Sequence, residues 1–298
     1  MIHIACNIDA NFMQHCAVTL VSLFENNKSA DICVHIVAPS LSEENQQILR
    51  NLVASYGNDI RFYFPPEDLL SCFAIKKFGK RISMATYYRC MFSAILPDDV
   101  EKVLYLDCDI VVLGDISEFW NTDLSGCGAA CIEDIGKDED ERYERLHYDR
   151  SYSYFNAGVL LINLDYWREH KVDKQCVEYF QTYPERILFN DQDLLNVVLH
   201  KDKVFVPLKW NMQDGFYRYG MDKKVADWNS FREELLHPVI LHYTNKKPWN
   251  YDSMHPLRSE YYKYLDMTPW QGQRPLSSLK KRVQWLSLIH ISEPTRPY

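Results

Sequence analysis

The chain has 298 residues with ordinary hydrophobic and charged fractions, 47% and 25%, and a net charge of −8 at pH 7. These values are typical of a globular protein with one large α/β domain or two small ones. The negative charge argues against a general nucleic-acid-binding protein, whose surface would be basic. No signal-peptide pattern precedes the first apolar segment and no apolar run reaches the length of a membrane span, so we expect a cytoplasmic protein.

The number and spacing of the cysteines argue against a disulfide framework and a zinc site. There are nine, an odd number, and no two of them form a C-x-x-C pair. Several stand inside apolar segments. We therefore expect buried, reduced thiols and neither a disulfide framework nor a zinc site.

The first third of the chain alternates between strand and helix patterns. We predict strands at residues 2–6, 32–38 and 60–64, and helices at 17–26 and from about Ser40 to Gly57. This order implies parallel strands joined by right-handed crossovers, with ligands bound beyond the carboxyl ends of the strands. A polar loop, 7–11, stands at that end of the first strand. The sequence contains neither G-x-G-x-x-G after this strand nor G-K-[ST], so the usual phosphate-binding loops are absent.

Residues 81–96 are predicted to form a helix that contains Arg89. An arginine in such a position is commonly solvated or salt-bridged. Beside a phosphate it would instead clamp the anion through two parallel hydrogen bonds.

The most informative stretch is the apolar run 103–106, which ends in Asp107-Cys108-Asp109 and precedes a second apolar run. We predict a buried strand here. Residues i and i+2 of extended backbone point to the same side, so Asp107 and Asp109 can converge. Two carboxylates at a buried strand end need a counter-charge, and a hard divalent cation that also holds a phosphate would provide it. A pair of turn aspartates after a core strand is the alternative.

The middle of the chain adds a short strand, 128–132, followed by Glu133 and Asp134. The charged stretch 134–150 lacks apolar periodicity and is predicted as an exposed loop, either over the site or simply solvated. The apolar run 155–164 is predicted as a strand, and the small residues at its start would let a ligand approach the backbone.

The last elements are a predicted helix at about 165–183, a short helix that opens with the acidic cluster 190–193, and strands at 204–208 and 239–243. The clustered acids would serve equally well as helix caps. The last strand ends in His242, and Lys247 follows it. A histidine there is commonly a polar residue at the edge of the core, and the functional interpretation is a third metal ligand with a cation for a diphosphate.

Four motifs in this order resemble those of glycosyltransferase family 8, whose donors are nucleotide-diphospho-sugars. They are Leu106-Asp107-Cys108-Asp109, Phe155-Asn156-Ala157-Gly158-Val159, Asn190-Asp191-Gln192-Asp193, and His242-Tyr243 with Lys247-Pro248-Trp249. The resemblance extends from residue 2 to about 249 and is greatest to bacterial lipopolysaccharide and lipooligosaccharide galactosyl- and glucosyltransferases, with glycogenin more distant. It implies a GT-A fold, which is an α/β fold with a Rossmann-like, mixed, mostly parallel sheet flanked by helices. It also implies a UDP-sugar donor, Mn²⁺ or Mg²⁺, and retention of anomeric configuration.

Matched positions imply roles for individual residues. The metal ligands would be Asp107, Asp109 and His242, and Lys247 would contact the diphosphate. The other donor-binding residues would be Ala5, Asn7 and Asp9 at the uracil and ribose, Arg89, Asn156, Ala157 and Asp191 at the sugar or its phosphate, and Cys108 and Asp134. Gln192 would lie near the anomeric carbon, which makes Gln192 and Asp191 the candidate catalytic residues. Related sequences often have an aspartate at the position of Asn7, whose amide can still bond uracil.

We therefore expect a metal-dependent hexosyltransferase that moves galactose or glucose from a UDP-sugar to a saccharide or glycolipid acceptor, in bacterial lipopolysaccharide or surface polysaccharide synthesis. A sugar-phosphate nucleotidyltransferase is one alternative, but it would need a glycine-rich phosphate loop near the first strand. A non-catalytic module that binds a glycan or a cation is another. Such a module would explain neither Lys247 after His242 nor the acids at 190–193.

The predicted domains are a catalytic domain at 1–250, a helical and basic extension at 251–285, and a tail at 286–298. The segment 278–285 is basic with interleaved apolar residues, as in relatives that act on lipid-linked acceptors, so we expect peripheral contact with an anionic membrane. The tail resembles a translated sequencing adaptor and is interpreted as non-native.

Overall fold

The structure is a computed structural model that describes residues 1–73, 84–136, 139–217 and 228–275. Predictions for 81–83, for the basic segment 278–285 and for the tail lie outside the described residues. The strands are β1 (Ile2–Asn7), β2 (Ile32–Val37), β3 (Asp59–Tyr63), β4 (Lys102–Leu106), β5 (Ile110–Val112), β6 (Ala129–Glu133), β7 (Phe155–Asn163), β8 (Lys203–Phe205), β9 (Met212–Gln213) and β10 (Ile240–His242). The α-helices are α1 (Met13–Asn26), α2 (Glu43–Ser55), α3 (Phe92–Ile95), α4 (Ser117–Trp120), α5 (Asp140–Leu146), α6 (Leu164–His170), α7 (Val172–Thr182), α8 (Asn190–Val198), α9 (Trp228–Leu236) and α10 (Arg258–Leu265).

The central sheet has the order β3-β2-β1-β4-β7-β6-β8. β7 runs antiparallel to both of its neighbours, and the other neighbouring strands pair in parallel. The predicted mixed, mostly parallel sheet is therefore confirmed. Its inner strands are buried on both faces, which explains their continuous apolar runs.

Two hydrophobic cores lie on the two faces of this sheet, and β4 shows how the pleat divides them. Leu104 and Leu106 belong to the core that includes α1 and α2. Val103 and Tyr105 belong to the core that includes α7 and α8. Alternate residues of one strand thus face opposite helical layers, as expected for a sheet covered on both sides.

A second, small sheet with the order β5-β10-β9 extends from the carboxyl end of β4. β10 pairs antiparallel with β5, so that His242 stands opposite Ile110. Helix α1 anchors this sheet, because Thr19 Oγ1 donates to the carbonyl of Ile110 and the N–H of Val112 donates to Ser22 Oγ, both at 2.9 Å. The turn between β4 and β5 is thereby held beside the end of β10.

The charged stretch 134–150 is not the predicted exposed loop, because it contains α5. Arg142 on this helix is buried, lies 4.1 Å from the centre of the Tyr154 ring and donates to Asp134 Oδ1 at 3.2 Å. The prediction was wrong because the buried face of this helix includes an arginine. The methylene chain and planar guanidinium of arginine can pack in a core, but a pattern of apolar residues does not count them.

Three helix boundaries also differ from prediction. Residues 165–183 form two helices, since Lys171 between them adopts a left-handed conformation with φ 54°. Helix α2 starts after Ser42, not Ser40, because the Ser42 hydroxyl accepts the N–H of Asn45 at 3.2 Å. The segment Met84–Met91 is a 3-10 helix that continues into α3.

The described part of the predicted extension, 251–275, packs against helix α1. Tyr261 and Tyr264 of α10 are buried, and their hydroxyls accept from Gln14 and Asn26 of α1 at 3.1 and 2.8 Å. Among the described residues, none of the helices combines the length and the apolar character that a bilayer span requires.

Candidate active site

The three residues predicted as metal ligands converge. Asp107 and Asp109 lie in the turn between β4 and β5, and His242 is the last residue of β10. His242 Nε2 is 3.1 Å from Asp109 Oδ1 and 3.8 Å from Asp107 Oδ2. One ligand atom from each of the three residues lies within 4.8 Å of the other two, so a single ion could contact all three.

A glycine in β7 makes room for this cluster. A Cβ atom on Gly158 would stand 2.3 Å from His242 Cε1 and 2.7 Å from Asp107 Oδ2. The carbonyl of Gly158 also accepts the N–H of Asp107 at 2.9 Å. The backbone of β7 thus forms the floor of the cluster, and only a residue without a side chain fits there.

A chain of hydrogen bonds fixes the orientation of the His242 ring. Asn156 Nδ2 donates to the carboxylate of Asp134 at 3.1 Å, so Asn156 Oδ1 must be the acceptor for Asn211 Nδ2 at 2.9 Å. Asn211 then turns its Oδ1 toward His242 Nδ1 at 2.9 Å. The Nδ1 atom of His242 therefore carries the proton, and in the neutral ring Nε2 presents a lone pair to the aspartates.

This arrangement fits a divalent cation. Within the described part of the chain, Asp109 Oδ1 is buried and has no hydrogen-bond donor, and it faces the Nε2 lone pair. Two acceptors facing each other in a buried site repel unless a cation lies between them. Burial alone would raise the pKa of Asp109, but the charge of Lys247 holds this pKa well below its usual range, so the carboxylate is ionised.

Asn211 is a positioning residue that sequence reasoning missed. It follows Trp210 in a stretch without a motif, and it reaches His242 only because β9 pairs with β10. The only signal that could have found it is the general expectation that a metal-binding histidine donates its other ring N–H to a fixed acceptor.

We expect the Asn211→Ala substitution to weaken Mn²⁺ binding by about 10–100-fold, because the His242 ring loses the partner that fixes its tautomer. Calorimetric titration with Mn²⁺ measures this effect. Asn211→Asp keeps an acceptor for Nδ1 and should retain more affinity than Asn211→Ala. Wild-type affinity in Asn211→Ala would show that the ring is oriented by other contacts.

Arg89 lies between Asp107 and Asp191 and is only 8% exposed. Its Nη2 donates to Asp107 Oδ1 at 2.8 Å, and Nε is 2.9 Å from Asp191 Oδ2. Its Nη1 donates to the carbonyl of Ala157 at 2.7 Å. Arg89 is therefore salt-bridged, which is one of the alternatives that the sequence left open. Its contacts connect Asp107 to the start of α8.

The two candidate catalytic residues occupy different environments. Burial raises the pKa of Asp191, with Arg89 opposing the shift, and its Oδ1 accepts the hydroxyl of Thr86. Gln192 Oε1 accepts the N–H of Ala157 at 3.0 Å and Nδ2 of Asn156 at 3.3 Å. The amide oxygen of Gln192 is thereby held at a fixed point beside β7.

Two cavities meet at Asp107 and Asp109. One, of about 360 Å³, is lined by Gln192, Asp191 and Asn156. The other, of about 410 Å³, is lined by Asn7, Asp9 and Cys108, among others. The residues that line both are Thr86, Arg89, Asp107, Asp109 and Lys247. An elongated ligand could therefore extend across the cluster from one cavity into the other.

The remaining predicted residues differ in how near they are to these cavities. Lys247 contacts Asp109 Oδ2 and donates to the carbonyl of Tyr243 at 2.6 Å. Asp134 and Ala157 lie behind the cavity wall, bonded to Asn156 and Gln192 respectively. Ala5 is fully buried in the core, and among the described residues it is not part of either cavity wall.

The chain matches glycosyl transferase family 8 over residues 3–253. It is 26% identical over 276 residues to general stress protein A of Bacillus subtilis, a match that covers 91% of this chain and 95% of that protein. It is 26% identical over 297 residues to the lipopolysaccharide 1,2-glucosyltransferase of Escherichia coli K12, with coverage of 97% and 86%.

The fold matches a crystal structure of the galactosyltransferase LgtC in complex with donor and acceptor sugar analogs. The TM-score is 0.81 at 23% identity, and the match covers 95% of this chain and 100% of that one. The predicted GT-A fold is therefore confirmed. Because the family match extends over most of the sequence, the predicted membership is confirmed as well, and the chain belongs to glycosyl transferase family 8.

Proposed function

We propose that this protein is a metal-dependent, retaining hexosyltransferase that moves galactose or glucose from a UDP-sugar to a saccharide acceptor in bacterial lipopolysaccharide or surface polysaccharide synthesis. The observation that carries the proposal is the orphaned Asp109 oxygen that lies 3.1 Å from Nε2 of His242 where the two cavities meet. The glucosyl- and galactosyltransferase relatives support the reaction class.

Asp107, Asp109 and His242 would hold the divalent cation, Mn²⁺ or Mg²⁺, since two carboxylates with one imidazole suit a hard or borderline ion. When bound, the ion would offset the negative charge that develops on the departing diphosphate. Lys247, beside Asp109, would contribute a second positive charge at the same place.

The cavity that contains Asn7 suits the uridine. Both polar atoms of the Asn7 amide are buried and have no hydrogen-bond partner among the described residues. A uracil edge presents an N–H between two carbonyls, so it can pair with the amide's donor and acceptor together. Asp9 lines the same cavity and would reach the ribose hydroxyls.

The cavity that contains Gln192 suits the hexose. The sugar becomes oxocarbenium-like as its bond to the diphosphate breaks, so a fixed oxygen of partial negative charge stabilises it. Gln192 Oε1 already accepts two hydrogen bonds, and an amide is a poor nucleophile. We therefore favour attack by the acceptor on the same face that the diphosphate leaves, over a covalent intermediate on Gln192.

No protein base is required in this mechanism. Asp191, the acid at the start of α8 beside Gln192, is bonded to Thr86 and ion-paired with Arg89. The proton of the acceptor hydroxyl would pass directly to the departing phosphate oxygen as the new glycosidic bond forms. A glycolipid acceptor would bring the protein to a membrane surface, which the basic composition of 278–285 supports.

We expect the Gln192→Ala substitution to lower kcat by about 10²–10³-fold, because the sugar cation loses its fixed oxygen. The Kd of UDP should change little, since Gln192 lies in the other cavity from Asn7. Transfer rates and UDP titrations measure the two quantities separately. Gln175→Ala, an exposed position on α7, is the control. An equal loss of UDP affinity and rate would place Gln192 in nucleotide binding instead.

The proposed reaction is tested by incubating the purified protein with UDP-galactose or UDP-glucose, Mn²⁺ and lipopolysaccharide core oligosaccharides. UDP release and the anomeric proton signals of the product are followed. We expect acceptor-dependent UDP release and an α-linked product from the α-linked donor. A β-linked product, or no transfer by a folded protein that binds UDP and metal, would overturn it.

A further inference from the structure

Three cysteines that are distant in the sequence meet directly behind the turn that contains Asp107 and Asp109. Cys6 is in β1, Cys16 is in α1 and Cys108 lies between Asp107 and Asp109. Their sulfur atoms all lie within 4.8 Å of one another. The sequence predicts no zinc site because it lacks C-x-x-C, but β1, α1 and the β4–β5 turn bring these thiols together.

The three thiols are buried, and one of them borders the cavity that contains Asn7, here called the nucleotide cavity. Cys6 and Cys16 are fully buried, whereas Cys108 is 5% exposed and lines the cavity that contains Asn7. Cys108 Sγ is 3.9 Å from the carbonyl of Asn7, which is a weak interaction. Among the described residues, Cys108 is the member of the cluster that lines this cavity, so a small ion would enter past Cys108, from the place where a donor nucleotide would bind.

The dimensions and the chemistry suit a soft metal ion. A tetrahedral Zn²⁺ with bonds of about 2.3 Å to sulfur needs sulfur atoms about 3.8 Å apart, which these three thiols can reach. Thiolates select zinc and similar soft ions, while the carboxylate and imidazole cluster beside them suits Mn²⁺ or Mg²⁺. The two neighbouring clusters thus differ in the ions that they prefer.

We propose that Cys6, Cys16 and Cys108 form a binding site for one thiophilic divalent ion, such as Zn²⁺ or Cd²⁺, separate from the Asp107, Asp109 and His242 cluster. Three metal–sulfur bonds form as the three thiols release their protons to the buffer, and nothing is oxidised or reduced.

Binding at this site would inhibit sugar transfer. Cys108 stands between the two aspartates, so an ion that holds its sulfur against Cys6 and Cys16 fixes the turn and changes the wall of the nucleotide cavity. This consequence rests on the proposed function, but the binding itself does not.

The test is a titration of the reduced, metal-free protein with Cd²⁺, followed by the sulfur-to-cadmium charge-transfer absorption and by the cadmium retained after dialysis. We expect one sulfur-bound equivalent in the wild type. Cys16→Ala should lose the absorption band and weaken binding more than the roughly 10–100-fold that outer-shell changes cost. Cys176→Ala, equally buried but on α7, should keep the band.

No band in the wild type would overturn the proposal, as would a band that persists in Cys16→Ala. Cys6→Ala is the second variant, and it decides the question if Cys16→Ala does not fold. In a transfer assay, Cd²⁺ should inhibit the wild type more than Cys16→Ala, and UDP with Mn²⁺ should slow the inhibition. If no form of the protein transfers sugar, the proposed function fails while the absorption band still decides whether the thiol site exists.

Discussion

The Asp109→Asn substitution is expected to abolish metal-dependent UDP binding and to lower sugar transfer by about 10²–10³-fold or more. One oxygen of Asp109 faces His242 Nε2, and the other pairs with Lys247. The amide keeps the shape of the side chain but removes the negative charge that both a divalent cation and Lys247 require. Calorimetric titration of UDP in the presence of Mn²⁺ measures the loss of binding.

The control for this variant is Asp98→Asn, which changes a fully exposed aspartate. Thermal unfolding of both variants separates a loss of the site from a loss of the fold, because removing one partner of a partly buried ion pair also destabilises the protein. Equal UDP affinity in Asp109→Asn and the wild type, with Mn²⁺ present, would exclude Asp109 as a metal ligand.

The Gly158→Ala substitution is expected to remove the stabilisation of the fold by Mn²⁺ and UDP. Its methyl group would overlap His242 Cε1 at 2.3 Å and Asp107 Oδ2 at 2.7 Å, so at least one of these ligands must move. Overpacking of this kind also costs about 1–3 kcal/mol of stability. Thermal unfolding with and without Mn²⁺ and UDP measures both effects, since a ligand that binds only the folded state raises Tm.

Gly114→Ala is the matched control for this variant. Its methyl group would meet the Val239 side chain at 3.2 Å, away from the cluster, so the response of Tm to Mn²⁺ and UDP should be kept. If Gly158→Ala retained the same response, the backbone of β7 would not be what positions Asp107 and His242.

The convergence of Asp107 and Asp109 was predicted from extended backbone. The two residues instead lie in the turn between β4 and β5, and this turn brings their carboxylates together. The sequence also predicted the carboxyl ends of β4, β7 and β10 to within one residue, because each apolar run stops at or next to a polar residue. For His242, by contrast, the sequence left two alternatives open, a polar residue at the edge of the core and a third metal ligand, and the family resemblance favoured the second. A single histidine after an apolar run does not reveal which strand will pair with it.

The parts of the site that could not be predicted depend on contacts between distant segments. Asn211 orients His242 only because β9 pairs with β10. Tyr105 donates its hydroxyl proton to Asp107 Oδ1, but in the sequence it is indistinguishable from an aromatic residue that only fills the core. Arg142 was predicted to lie in an exposed loop because a charged residue is usually exposed, whereas its side chain is buried.

The most direct test of the metal-dependent nucleotide site is a calorimetric titration of UDP into the protein, once with Mn²⁺ and once with EDTA. We expect binding of about micromolar Kd with Mn²⁺ that is lost in EDTA, because Asp107, Asp109 and His242 would connect the nucleotide to the protein through the ion. Equal UDP affinity in Mn²⁺ and in EDTA would contradict this assignment.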